Sequence, residues 1–387
     1  MIRSFLPVGQ GAFYTEQFDC GMNIVYDCGS STGKSAVEKQ IADTFEPREK
    51  IQAVFISHLH EDHINGLPFL LSYCCVEKIY LPFLTEEEIL LTRLIAHLEN
   101  TESTFLADLL EDPLQAVEQY TLPVDTTTPE LFSVMPVASN LRNRGNTTAI
   151  PSGKALADLK TSRKNWVYVP YNFQNTRRSK AFFRGLKKNG YDKKTLQSYL
   201  ETSDIFSYDW NDIRKIYQTY APGSLNSNSL VVYSGPQIPD AKMVRPYDFF
   251  LPDLTSPQSG RRNAYPDGCL FLGDYDARTE DSWKELTDYL SDYMPSVGTV
   301  QVPHHGSKHN YNEALSCGQF LLIISAGYQN KYRHPHAKVL KDMLMKKVLH
   351  FWVTEQVGSM VQFQIDEEVK KKRRTVLDML SVLLFFD

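Results

Sequence analysis

The residues Ser57 to Gly66 constrain this chain more than any other stretch, because His58, His60, Asp62 and His63 fall within six positions behind the apolar run Ala53-Val54-Phe55-Ile56. A short apolar run ended by polar residues reads as a buried strand whose tip opens into a loop. Imidazoles at i and i+2 leaving a strand tip converge on one ion, while Asp62 and His63 begin the next turn and reach toward a second. A histidine-rich loop is also compatible with a solvated turn. Against that reading, eight of the ten histidines lie in three short clusters, with only His97 and His350 elsewhere.

The other two clusters follow the same plan. Thr299 to Val302 delivers His304, His305 and His309, and the run Phe320 to Ser325 precedes His334-Pro335-His336. Between them and the first cluster, Gly268 to Leu272 ends in Gly273-Asp274, which presents a carboxylate at the carboxyl edge of a sheet. Asp27, ahead of Cys28-Gly29, reads as a cap, with hydrogen bonding to a metal-bound imidazole as the alternative. Gly9 and Gly11 suit a chain that approaches a site closely.

Length and composition set the frame. A chain of 387 residues with 42% hydrophobic and 22% charged residues buries a large core as one domain with insertions or as two. No uncharged run approaches the ~20 residues that span a bilayer, and the N-terminus has no secretory pattern, so a cytoplasmic location is expected. The six cysteines form no CxxC pair and read as buried reduced thiols. The net charge of -5 does not suggest a protein that coats nucleic acid.

The order His58-x-His60-x-Asp62-His63 after an apolar strand resembles the metallo-β-lactamase fold superfamily. Val8-Gly9-Gln10-Gly11, Tyr26-Asp27-Cys28-Gly29, the Asn226-Ser227-Asn228 turn, His304-His305-Gly306-Ser307, His334-Pro335 and the Thr354-containing hairpin are similar to the corresponding domain of ComEC-type DNA-uptake proteins. The resemblance covers 1–83 and 225–365. It implies an α/β fold, a four-layer αβ/βα sandwich, holding two divalent metal ions, Zn²⁺ or Mn²⁺. By motif, His58 and His60 hold one metal, Asp62 and His63 the second, Asp274 bridges, and His304 completes the second site. His305 and His334 then meet substrate or protonate a leaving group, and either is an alternative ligand in place of His304. Asn226 or Asn228 stands where most members carry a third histidine. That makes the ligand set richer in oxygen, or leaves the amide simply capping the turn.

The segment 84–224 reads as a charged, mostly helical insertion. Residues 84–130 hold eleven acidic side chains and one basic one, Arg93, whereas 160–194 hold eleven Lys or Arg against Asp192. Arg177, Arg178, Lys187 and Lys188 interleave with Phe182 and Phe183, a mixture that suits phosphates and unpaired bases or, equally, a helix docked on the acidic half. The tail 366–387 is basic and then apolar, and reads as a terminal helix. It and the insertion are the two segments that a protein partner would engage. With Ser307, Lys308, Arg333 and His336 beside the metals, the expected activity is phosphodiester hydrolysis by a metal-activated water, on DNA or RNA. The alternatives are a small-nucleotide phosphodiesterase and a partner-binding protein with weak or conditional chemistry.

Overall fold

The computed structural model describes residues 1–365 except 100, 102, 123–127, 138–145, 164, 175, 195, 197–209, 221–227, 238–244, 247–264 and 318. From the N-terminus run β1 (Ile2–Phe5), β2 (Gly11–Gln17), β3 (Asn23–Ser30), α1 (Lys34–Thr44), β4 (Lys50–Ile51), β5 (Ala53–Phe55), α2 (Glu61–Ile64), α3 (Leu67–Tyr73), β6 (Cys75–Val76) and β7 (Lys78–Pro82). There follow α4 (Glu86–Glu99), α5 (Thr104–Glu111), α6 (Pro113–Tyr120), β8 (Glu130–Val134), β9 (Thr148–Ile150), β10 (Trp166–Gln174), α7 (Thr176–Lys188) and α8 (Trp210–Tyr220). The remainder holds β11 (Asn228–Pro236), β12 (Arg245–Pro246), β13 (Gly268–Phe271), α9 (Glu280–Tyr289), β14 (Val297–Gln301), β15 (Leu321–Ser325), α10 (Ala337–Met345), β16 (His350–Val353) and β17 (Val361–Gln364).

Two sheets result. One has the order β12-β17-β1-β2-β3-β5-β7-β8-β9 and the other β10-β11-β13-β14-β15-β16. Aromatic side chains on their facing surfaces, among them Phe5, Tyr14, Tyr26, Phe55 and Tyr80 from the first sheet and Tyr168 and Phe271 from the second, fill the layer between them. The outer face of the first sheet is covered by α1 and α3 through Val37, Ile41, Leu67 and Leu70, and that of the second by α9 and α10 through Leu286, Val339 and Met343. The expected four-layer αβ/βα sandwich is therefore the observed fold, because each sheet has one face against its partner and one against helices.

The topology also explains where chemistry sits. β3, β5 and β7 pair in parallel, as do β13, β14 and β15, so their carboxyl ends gather at one rim. Open α/β sheets place their sites at that edge.

Within 84–224, three strands accompany the expected helices among the described residues. β8 and β9 extend the first sheet beyond β7, and β10 pairs antiparallel with β11 along its length. Pro170 is tolerated in β10 because that strand is the edge of its sheet. The acidic helices α5 and α6 pack Phe105, Leu109 and Val117 on the same core as α3. Phe182 and Phe183 are buried with Leu91, Leu94, Leu186, Ile213 and Ile216, so the aromatics interleaved with the basic residues bind α4, α7 and α8 together rather than presenting rings to solvent. Lys187 and Lys188 are exposed at the end of α7; Arg177 and Arg178 lie in the same helix.

Cys28, Cys74 and Cys269 are buried thiols, as expected, whereas Cys20 and Cys317 are exposed. Burial pushes the Cys74 thiol up to about 12, which keeps it protonated and unreactive. Among the described residues no helix is long and apolar enough to cross a membrane. The tail 366–387 lies outside the described residues.

Candidate metal centre

Strands β3, β13 and β14 deliver their side chains through a backbone conformation that ordinary residues avoid. Asp27 at the end of β3 has φ 54°, and Gly273 after β13 has φ 53°. His304 and His305 after β14 have φ 50° and 54°, followed by Gly306 at 79°. Left-handed geometry at a non-glycine residue costs about 1–2 kcal/mol, and such strain persists where surrounding contacts over-determine it. Those contacts are present. Gln301 accepts hydrogen bonds from the Leu272 and Gly273 amides at 2.8 and 2.7 Å, and the His304 amide donates to the Gly273 carbonyl at 3.0 Å. A side chain at Gly273 would meet Ser57 and Ser229, and one at Gly11 would meet the Asp62 carbonyl, so both glycines permit close approach.

The consecutive left-handed residues turn two neighbouring imidazoles to opposite sides of one carboxylate. His304 Nε2 stands 3.6 Å from Asp274 Oδ2, the oxygen that His58 Nε2 also faces at 3.6 Å. His305 Nε2 instead lies 3.9 Å from Asp274 Oδ1, which His63 Nε2 faces at 3.5 Å, and 3.4 Å from Asp62 Oδ2. The two ring planes are 82° apart. The motif resemblance assigns His304 to the Asp62–His63 side, with His305 or His334 as the alternative; the geometry has His305 there and His304 beside His58. His58, His60 and Asp62 form one group of ligand atoms within 4.8 Å of one another; His58, His63 and Asp274 form a second, and Asp62, His63 and His305 a third.

Hydrogen bonds on the far side of the rings fix their orientation. His63 Nδ1 meets Asp27 Oδ2 at 2.7 Å, His304 Nδ1 meets Asn310 Oδ1 at 3.0 Å, and His305 Nδ1 donates to the Ser325 carbonyl at 2.8 Å. His58 Nδ1 lies 2.9 Å from Ser57 Oγ. Asp27 also accepts from the Ser57 amide and hydroxyl at 2.6 and 2.7 Å. It is therefore the orienting partner of an imidazole and not a cap. Such outer partners fix the tautomer so that Nε2 presents its lone pair inward.

The centre fits a cation. Two ligands about 2.1 Å from one ion at a tetrahedral angle sit ~3.4 Å apart, and the inward N···O separations cluster near that value. Nε2 of His63 and of His305 is buried with no hydrogen-bond partner among the described residues. The electrostatics ask for the same thing. Burial opposes charge on His63, but the carboxylates of Asp27 and Asp62 outweigh it and hold its pKa up at about 10. Asp62 is held well below the usual carboxylate range despite its burial, chiefly by His63 and His305, and Asp274 is held down chiefly by His304 and His58. His58 is driven well below its ordinary value by burial and by His63. Three carboxylates in so small a buried volume need compensating positive charge.

A cleft of ≈ 320 Å³ opens onto these residues. Asp62, Asp274, His304, His305 and His334 form its floor, and Ile95, Ala96 and Glu99 of α4 with Leu106 and Tyr217 close the opposite side. Burial, with His304 and His305 nearby, holds His334 down to about 3, so it faces the cleft as a neutral imidazole. Ser307 lines the cleft from a buried position. Lys308 and Arg333 are exposed, each between two cleft-lining residues in sequence. His336 departs from expectation: its ring accepts from the Lys338 amide at 3.1 Å and caps α10. Asn226 lies outside the described residues, and Asn228 begins β11. Sequence reading passed over Gln10, Glu61, Glu99, Tyr217 and Tyr332, all of which line the cleft. Glu61, inside the histidine motif, was the one with a signal.

Over 64 residues the chain is 36% identical to Ribonuclease J of Mycoplasma genitalium, covering 16% of this chain and 11% of that protein. Over 48 residues it is 48% identical to Ribonuclease Z of Streptococcus uberis, covering 12% and 14% respectively. The chain thus spans less than a sixth of the length of these curated relatives. Among solved structures, human tRNase Z, short form, aligns over 92% of each chain with TM-score 0.38 and 12% identity. Zn(2+)-bound PqqB from Methylobacterium extorquens aligns over 89% of this chain and 86% of its own, with TM-score 0.39 and 8% identity. Residues 16–84 match the family model described as Metallo-beta-lactamase superfamily, a match that takes in His58, His60, Asp62 and His63.

Proposed function

We propose that this chain is a metal-dependent hydrolase that cleaves phosphodiester bonds in nucleic acid. The observation that carries the reading is the placement of Asp274 between two sets of inward-facing imidazoles, one at each carboxylate oxygen. His58, His60 and His304 would hold one divalent cation, Asp62, His63 and His305 the other, and Asp274 both. In this arrangement His304 would join His58 and His60 at one position, so the donors are mainly imidazole. That favours Zn²⁺ over Mn²⁺. Such a pair of cations, when bound, lowers the pKa of water and neutralises charge growing on a phosphoryl group.

The chain's own residues supply the rest. His334, kept neutral, offers a ring nitrogen to a phosphoryl oxygen or to the leaving group. Ser307 offers a hydroxyl at the cleft wall, and Lys308 and Arg333 add positive charge at its mouth. The relatives named as ribonucleases support a nucleic-acid substrate, and the His304-His305-Gly306-Ser307 and His334-Pro335 elements support a ComEC-like arrangement. The confined cleft favours one second reading, a phosphodiesterase acting on a small nucleotide.

A salt titration separates the two. Replacing Arg177, Arg178, Lys187 and Lys188 by Gln should flatten the log–log dependence of polymer affinity on salt by about 0.7 unit per lost phosphate contact on a single strand. Digestion of linear and circular DNA, of RNA and of a chromogenic diester, each with Zn²⁺, Mn²⁺ or Mg²⁺, reads the activity itself. Polymer cleavage with an unaltered salt slope would make the basic residues a structural face. Hydrolysis of the small diester alone would favour the nucleotide phosphodiesterase.

A further inference from the structure

The cleft over the metal centre is partly roofed, and the roof bears on what enters it. Its roof is made by α4, α5 and α8, and it is fastened rather than loosely apposed. Glu61, from the motif helix α2, accepts a hydrogen bond from Ser103, whose hydroxyl also caps α5 by accepting from the Leu106 amide at 3.1 Å. Arg214 of α8 donates to the Leu98 carbonyl of α4, and the three helices α4, α7 and α8 share one apolar core. The remaining space, ≈ 320 Å³, lies at the small end of ligand sites and matches about one nucleotide. Two paired strands require far more width, and enzymes that act within such confined pockets take a base that is out of its helix.

One wall carries a ring suited to such a base. Tyr332 is 43% exposed, and its ring lies 5.7 Å from that of His334 at an interplanar angle of 23°. His334 in turn lies 6.3 Å from His305 at 23°. A row of three rings, each tilted 23° from the next, thus leads from solvent toward the metal centre. The loop that holds Tyr332 is pre-organised by Asn330, whose amide nitrogen donates to the Gly327 and His334 carbonyls and whose oxygen accepts from the His334 amide at 2.8 Å. Lys331 Nζ stands 4.9 Å from the Tyr332 ring centroid, a cation able to swing to a phosphate when a base takes its place. On the roof side, Glu99 and Glu61 line the cleft and repel a polyanion, which confines phosphates to the floor.

We propose that this roofed cleft selects an unpaired nucleotide of a single strand, with its base stacked on Tyr332. The proposal rests on the phosphodiesterase reading for what happens to that nucleotide. Stacking on an aromatic side chain is sequence-tolerant, because every base offers a π-face, so no strong sequence preference is expected.

The test uses the full chain with Zn²⁺ and short single strands, in DNA and RNA versions, that carry 2-aminopurine or an abasic unit at the same positions. Wild type should bind the base-bearing strand about tenfold more tightly than the abasic one, quench 2-aminopurine fluorescence on binding, and bind a blunt duplex of the same sequence at least about tenfold more weakly. Tyr332→Ala should erase the preference for the base and most of the quenching, while Tyr332→Phe should keep both. Equal melting temperatures of the two variants would exclude misfolding as the cause. Retention of the base preference in Tyr332→Ala, or duplex bound as tightly as single strand, would overturn the proposal. The binding readout is separate from turnover: a strand bound with the preference but never cleaved sinks the hydrolase reading alone, and one cleaved without the preference sinks this inference alone.

Discussion

Asp274→Ala is expected to lower phosphodiester hydrolysis by at least ~10³-fold and to leave less than one equivalent of tightly bound metal per chain. The size follows from position. Four imidazoles face this one side chain, His58 and His304 at one oxygen and His63 and His305 at the other, at 3.5–3.9 Å. On the proposed reading its removal would take a ligand from both cation positions at once. Metal-derived charge stabilisation is worth several kcal/mol, and each ~1.4 kcal/mol is tenfold in rate. The fold should survive, because the strand tip is held by Gln301 and Ser229 rather than by the carboxylate. Steady-state kinetics, elemental analysis and thermal melting on the same preparation check the three parts. Near wild-type turnover in this variant would remove Asp274 from the chemistry.

The second large effect is expected one layer out. Asp27→Asn should weaken metal binding about 10- to 100-fold, the usual result of losing an outer partner of a ligating imidazole. Asp27 is fully buried, and its carboxylate holds the His63 ring at 2.7 Å while accepting two bonds from Ser57. An amide there can present its NH₂ to Nδ1, which stabilises the wrong tautomer and turns the lone pair of Nε2 into an N–H. Competition with a chromogenic chelator reads the affinity directly. At saturating metal the variant should recover most of its turnover, because Asp27 touches neither cation position. Unchanged affinity would show that Ser57 and the surrounding packing orient His63 without it.

The contrast between Asp62 and Asp27 shows what sequence alone conveyed. Asp62 sits inside a local spacing pattern, so strand period and turn length suffice to place it with His58, His60 and His63. Asp27 lies far from His63 in sequence, and the pairing arises because β3 and β5 run in parallel side by side. Nothing local distinguishes such an aspartate from a cap. The partition of His304 and His305 was hidden for a different reason. Adjacent residues diverge only because both adopt left-handed backbone geometry, which requires the contacts of Gln301, Gly273 and Asn310.

The segment 84–224 reads as a charged, mostly helical insertion, and its described helices stand beside three strands that join the two large sheets. Trp166 to Gln174, rich in aromatic and β-branched residues, carried the strand signal of β10, and Pro170 masked it. The roof over the cleft was likewise illegible, since it depends on the buried contacts of α4 with Phe182, Phe183 and Ile213. Within the motif itself, Glu61 was read only as a spacer, yet it is the residue that ties the roof to the metal helix.

On the proposed reading this rim is a two-metal centre that hydrolyses phosphodiesters. Its most direct measurement is metal content and hydrolysis on one sample, before chelation, after it, and during stepwise return of Zn²⁺ or Mn²⁺. The active protein should hold two equivalents per chain, lose cleavage on chelation, and regain activity only as the second equivalent binds. Cleavage that persists in metal-free protein, or a chain that takes up no divalent cation although His58, His60, Asp62, His63, Asp274, His304 and His305 are intact, would contradict that reading.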